Sequence, residues 1–111
     1  MNKGWFRFNI RVYGLLVHGK KVLVSDEFIF GRNITKFPGG GLEYGEGLKE
    51  GLAREWMEET GMAVTVKDHF YTTDFFVPSA AGDGSQVISV FYFVEAENPS
   101  GLKVYETPFA F

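Results

Sequence analysis

The chain has 111 residues, 45% hydrophobic and 23% charged, enough to close one hydrophobic core and too few for two independent ones. A formal net charge of -3 argues against the clustered basic footprint that duplex DNA or an anionic membrane surface requires, so a small anionic substrate has to be met by a metal ion or a local Arg. The absence of Cys excludes a disulfide framework and thiolate metal sites, and it agrees with a cytoplasmic location.

An aromatic content of 17%, including 12 Phe, points to sheet. The opening MNKGWFRFNIRVYGLLVHGKK carries polar residues at every second or third place, so neither a signal peptide nor a membrane span is read there. From Phe6 the side chains alternate, with Phe6, Phe8, Ile10 and Val12 on one face and Arg7, Asn9 and Arg11 on the other, which predicts a long half-buried strand. His18-Gly19-Lys20 is a turn signal, and Val22, Leu23 and Val24 read as the return strand of a hairpin. Asp26 to Thr35 is expected to be a loop. Phe37 then leads into Pro38-Gly39-Gly40-Gly41, where Pro ends regular structure and the glycines let another group come close to the backbone.

LKEGLAREWMEET, from Leu48 to Thr60, predicts a helix whose apolar arc is Leu52, Ala53, Trp56 and Met57, with Gly47 near the N-cap and Gly61 as the stop. Gly51 inside it costs about 1 kcal/mol relative to Ala, so close packing is expected there. Residues 64–77 read as a strand with a bulge, PSAAGDGS as a loop, and QVISVFYFVEA as a further strand. Strand-rich flanks around one helix give an α+β or mixed α/β domain spanning 1–111. In the tail, Pro99, Gly101 and Pro108 interrupt any helical run.

Glu55, Glu58 and Glu59 stand at i, i+3 and i+4, so three carboxylates share one helix face and repel one another. Glu58 and Glu59 also lie in the last turn, where the helix dipole disfavours anions. Lys49 and Arg54 are the helix's cations, so a bound hard cation such as Mg2+ or Mn2+ is an economical explanation. Three acids on a helix are more often a solvated face. The glycine loop, the further acid Glu46 and the adjacent apolar arc shift the balance toward a ligand site.

From Gly40 to Met62 the sequence reads GGLEYGEGLKEGLAREWMEETGM. It resembles the Nudix box, G-x5-E-x7-R-E-U-x-E-E-x-G-U with U a bulky apolar residue, and it matches at Gly40, Glu46, Arg54, Glu55, Glu58, Glu59 and Gly61. Trp56 is larger than the usual aliphatic residue. The resemblance implies a Nudix-type α/β/α sandwich with a mixed sheet, and Mg2+- or Mn2+-dependent hydrolysis of a pyrophosphate bond in a small nucleoside diphosphate derivative. It makes Glu55, Glu58 and Glu59 the metal-binding and catalytic carboxylates, adds the Gly39 carbonyl as a ligand, and pairs Arg54 with Glu46 to brace the loop. Glu46 and Gly61 are then structural. Glu55 is the first choice of general base, with Glu95, Glu97 and Glu106 as alternatives outside the box. Pro78, sixteen residues past Met62, stands where the family's ADP-ribose pyrophosphatases carry a proline, which leans toward ADP-ribose or a nucleotide sugar. The alternatives are a MutT-like nucleoside triphosphate pyrophosphohydrolase and a non-catalytic nucleotide sensor. The sandwich's C-terminal helix is not readable in the tail, so the chain is expected to be a shortened piece, with a homodimer covering the open sheet face.

Arg32 and Lys36 flank the glycine loop and, with Gly40, are candidate substrate contacts. Phe28, Phe30, Tyr71, Phe75 and Phe76 have the chemistry to stack a nucleobase, although aromatics in strand-rich domains are mostly core. His18 and His69 lack partners at ligand spacing. No G-x4-G-K-[ST] occurs, which removes a P-loop.

Overall fold

The computed structural model describes residues 7–29 and 31–97, Ile29 in its backbone alone. In chain order the elements are β1 (Phe8–Leu15), β2 (Val17–His18), β3 (Lys21–Val22), β4 (Ser25–Ile29), β5 (Arg32–Lys36), β6 (Gly39–Gly41), α1 (Leu48–Thr60), β7 (Val64–Thr72) and β8 (Gln86–Ala96). A four-stranded mixed sheet runs β6-β1-β8-β7. β1 and β8 pair in parallel from Phe8↔Gln86 to Leu15↔Phe93, and the outer pairings are antiparallel. Parallel neighbours need a crossover, and α1 lies on it.

The period-2 pattern of the strands sends Val12, Val90, Tyr92 and Val94 to the face that meets Leu52 and Trp56 of α1, and these residues form the core. Phe8 is 64% exposed, so the alternation read from the N-terminal residues enters the core only further along the strand. The helix has the predicted ends. Glu50 Oε1 accepts the Gly47 N–H at 2.8 Å, and Gly61, at φ 72°, closes the C-terminus by donating to the Met57 carbonyl at 2.9 Å. Met57, expected in the apolar arc, is 48% exposed, because the next 100° of turn past Trp56 carries it off the sheet. Gly51 is buried in that stripe instead, and a Cβ there would stand 2.5 Å from Leu42 Cδ1 and 2.9 Å from Glu46 Oε1.

Two further expectations are corrected. Asp26 to Thr35 is not a loop: β4 and β5 form a hairpin paired from Ser25↔Lys36 to Ile29↔Arg32, with Gly31 at φ 75° at its tip. Acidic and amide side chains at Asp26, Glu27 and Asn33 hide the strand signal there. The strand expected over 64–77 ends at Thr72, after register shifts between Val66 and His69 and between His69 and Tyr71 that supply the bulge. The predicted first hairpin is present as a short ladder of Val17↔Val22 and His18↔Lys21.

The Nudix-box departure at Trp56 has a structural counterpart. Trp56 is fully buried, its Nε1 has no hydrogen-bond partner among the described residues, and the indole fills the space beside Gly14 on β1. A Cβ on Gly14 would lie 2.9 Å from Val94 Cγ1 and nearer still to Trp56 Nε1. Gly14→Ala is therefore expected to cost about 1–3 kcal/mol by overpacking. Adding Trp56→Leu should recover part of the loss, and strictly additive denaturation midpoints in the double variant would refute the pairing.

The expected absence of a C-terminal helix falls on residues 98–111, outside the described residues, as do Glu106 and Phe30. No helix among the described residues is long and apolar enough to cross a membrane.

Candidate active site

The loop between β6 and α1 is tied down by Arg54. Its Nε and Nη2 donate to Glu46 Oε2 and Oε1 at 2.5 and 2.9 Å, a two-pronged pair that a planar guanidinium makes and an ammonium does not. Nη2 also donates to the Gly41 carbonyl at 3.1 Å, and the Glu43 N–H donates to Glu46 Oε1 at 2.9 Å. The expected brace is thus in place. Its hydrogen bonds from Arg54 and then from the Glu43 backbone hold the Glu46 carboxyl below its usual pKa of 4.5. The pair therefore stabilises the loop above the ordinary carboxylate range and ceases to do so as pH falls through that depressed value.

The glycines make room for the box itself. A Cβ on Gly39 would strike the β1 backbone at Val12, and one on Gly40 would stand 2.5 Å from Glu55 Oε1. At Gly40 the group that comes close to the backbone is the Glu55 carboxylate.

Two cations share the three box carboxylates. Arg54 Nη1 lies 3.2 Å from Glu55 and 3.1 Å from Glu58, while Lys36 Nζ lies 3.6 Å from Glu59. Glu55 and Glu59 are mostly shielded, with 18% and 23% of the side chain exposed, against 60% for Glu58. Among the described residues no three acidic or imidazole side chains converge on one metal-sized point. The donor set nevertheless suits a hard cation. Lys36 Nζ also donates to the Gly39 carbonyl at 3.3 Å, so that carbonyl and the Glu59 carboxylate already face one positive charge.

Lys36 also lines a cavity of about 440 Å3 with Tyr13, Val24, Thr35, Phe37 and Phe91. Tyr13 and Phe91 stack at 5.3 Å, and Phe37 meets Phe91 edge-on at 6.2 Å. These aromatics were not singled out from the sequence. The available signal was alternation, since Tyr13 follows core Val12 and Phe91 lies between core Val90 and Tyr92, so both face away from α1. Of the stacking candidates, Tyr71 reaches this cluster, 6.2 Å from Phe91, whereas Phe28, Phe75 and Phe76 are 63–73% exposed.

Lys36 is brought to the box and Arg32 is not: the latter starts β5, four residues and about 13 Å from Lys36. Glu95 pairs with Lys67 at 3.7 Å on the neighbouring strand, and Glu97 is exposed. His18 is exposed; His69 Nε2 bonds the Thr72 hydroxyl at 2.7 Å and its ring meets Tyr92 edge-on.

The NUDIX domain family model matches residues 7–105. The chain belongs to the Nudix family. The fold is similar to that of a Nudix hydrolase from Nitrosomonas europaea, with TM-score 0.70 and 22% identity over 81% of this chain and 60% of that one. It is similar to a MutT protein from Methanosarcina mazei Go1, with TM-score 0.64 and 28% identity over 80% and 64%. An ADP-ribose pyrophosphatase from Streptococcus suis gives TM-score 0.55 and 17% identity over 80% and 60%. The chain spans less than two thirds of the length of each of these relatives. No curated protein matches it.

Proposed function

We propose that this Nudix protein hydrolyses the pyrophosphate bond of a nucleoside diphosphate joined to another group, with Mg2+ or Mn2+ as cofactor. The observation that carries this reading is adjacency: Lys36 touches Glu59 and the Gly39 carbonyl and also lines the aromatic cavity. A diphosphate at the box would leave its nucleoside within reach of Tyr13, Phe37 and Phe91.

Glu55, Glu58, Glu59 and the Gly39 carbonyl would hold the cation, which supplies charge neutralisation at the phosphates and a more acidic water. Glu55, set against Gly40, takes a proton from the attacking water as its oxygen bonds to phosphorus. The bridging P–O bond breaks, and two phosphorylated products leave. Arg54 keeps Glu55 and the loop in place. A nucleotide sensor would have no need of this acid set.

For the substrate, Pro78 supports ADP-ribose or a nucleotide sugar, although it is exposed in the β7–β8 loop and lines no part of the cavity. The likeness to a MutT protein at 28% identity supports the second reading, a nucleoside triphosphate. Turnover of ADP-ribose, a nucleotide sugar and a nucleoside triphosphate, compared side by side, separates them. Phe91→Ala should raise KM for the preferred substrate about tenfold, the scale of one lost base stack, with a small change in kcat. An unchanged KM would remove the cavity from the nucleoside's path.

A further inference from the structure

We propose that Lys36 is a tethered competitor for the divalent cation, holding the Gly39 carbonyl and the Glu59 carboxylate until metal entry displaces its ammonium toward Glu27. This rests on the reading of Glu59 and Gly39 as metal ligands. Nζ donates to the Gly39 carbonyl at 3.3 Å and lies 3.6 Å from Glu59 Oε2. On its other side it lies 3.1 Å from Glu27 Oε2 and 5.5 Å from the Tyr13 ring centroid. The side chain is 18% exposed, so this is a packed ammonium and not a wandering surface lysine.

A divalent ion and an ammonium cannot both sit against the same two oxygens, because like charges at such separations repel strongly. The lysine need not be expelled into solvent, however. Glu27 on β4, already its nearest carboxylate at 3.1 Å, and the face of Tyr13 retain the ammonium when a small rotation at the end of the flexible stem takes it off the other two oxygens. Tyr13 and Lys36 both line the cavity, so the displaced charge stays beside the path of an incoming nucleotide. These oxygens thereby have a cation of the chain's own to hold them together, and the metal affinity is set below what the oxygens alone would give.

Mn2+ binding without nucleotide, followed by the paramagnetic resonance signal of free Mn2+, tests this apart from activity. Lys36→Met keeps the stem and its packing and removes the charge. It is expected to tighten Mn2+ binding roughly three- to tenfold, the scale of one lost ion pair with its hydrogen bond. The ratio between variant and wild type should persist in 0.5 M KCl, where a merely long-range charge effect is screened away. Glu59→Gln should weaken binding in either background. If Lys36→Met binds no tighter while Glu59→Gln still weakens, the competition is wrong and the ligand reading stands. A ratio that collapses in salt also overturns the competition. If Glu59→Gln changes nothing, the ligand reading falls and the competition with it.

Discussion

Glu59→Gln is expected to lower turnover about a hundredfold or more while the melting temperature stays level or rises. The substitution keeps the side chain's shape and removes the charge that a hard-cation ligand must supply. Stability moves the other way because the wild-type arrangement is unfavourable to the helix. Glu59 sits in the last turn of α1, which carries no basic residue, beside Glu55 four positions earlier and Glu58 next to it. Its cation contact, Lys36, lies at 3.6 Å, too long for a strong hydrogen bond. Steady-state kinetics in Mg2+ and thermal denaturation of the same sample check both halves. Wild-type kcat in the variant would remove Glu59 from the metal set, and a large fall in melting temperature would show the carboxylate to be a structural group.

Arg54→Ala is expected to act through the loop. One guanidinium binds both Glu46 oxygens and the Gly41 carbonyl and lies against Glu55 and Glu58, so its loss releases the loop and two box carboxylates together. Removing one partner also strands Glu46, whose side chain is 14% exposed. Turnover should fall by about ten- to a hundredfold, and amide exchange across 41–47 should speed up, with the β1–β8 pairing unaffected. Arg54→Lys restores the charge without the two-pronged geometry and should recover little of the loop's protection. Unchanged exchange in the loop of Arg54→Ala would show that Glu46 is held by other means.

The parts of this architecture that depend on local chemistry were legible in the sequence. The helix from Leu48 to Thr60 ends where Gly61 ends it, the Arg54–Glu46 pair is the one that the resemblance to the Nudix box implies, and close packing at Gly51 is the expected reason for a glycine inside a helix. What depends on distant neighbours was not. Gly14 reads as an ordinary strand residue until Trp56, forty-two positions later, is seen to fill the space beside it. The β4–β5 hairpin stayed hidden because Asp26, Glu27 and Asn33 are poor strand formers whose pairing is set by the partner strand. Lys36 was legible as a neighbour of the glycine loop, three residues before Gly39, but the aromatic wall joined the box only through the sheet's order, which brings Tyr13 of β1 and Phe91 of β8 together and places β6 beside β1.

On the proposed reading, the box face of this Nudix domain hydrolyses a nucleoside diphosphate derivative with a divalent cation. Phosphorus resonance spectra of ADP-ribose, a nucleotide sugar and a nucleoside triphosphate, each incubated with the protein in Mg2+ or in excess chelator, test it most directly. At least one substrate is expected to lose its own phosphoanhydride signals in Mg2+ and to yield a nucleoside monophosphate, with a sugar phosphate or inorganic pyrophosphate as the other product, while the chelated sample stays intact. Cleavage that continues at full rate in chelator, or no cleavage of any of the three in Mg2+, would contradict it.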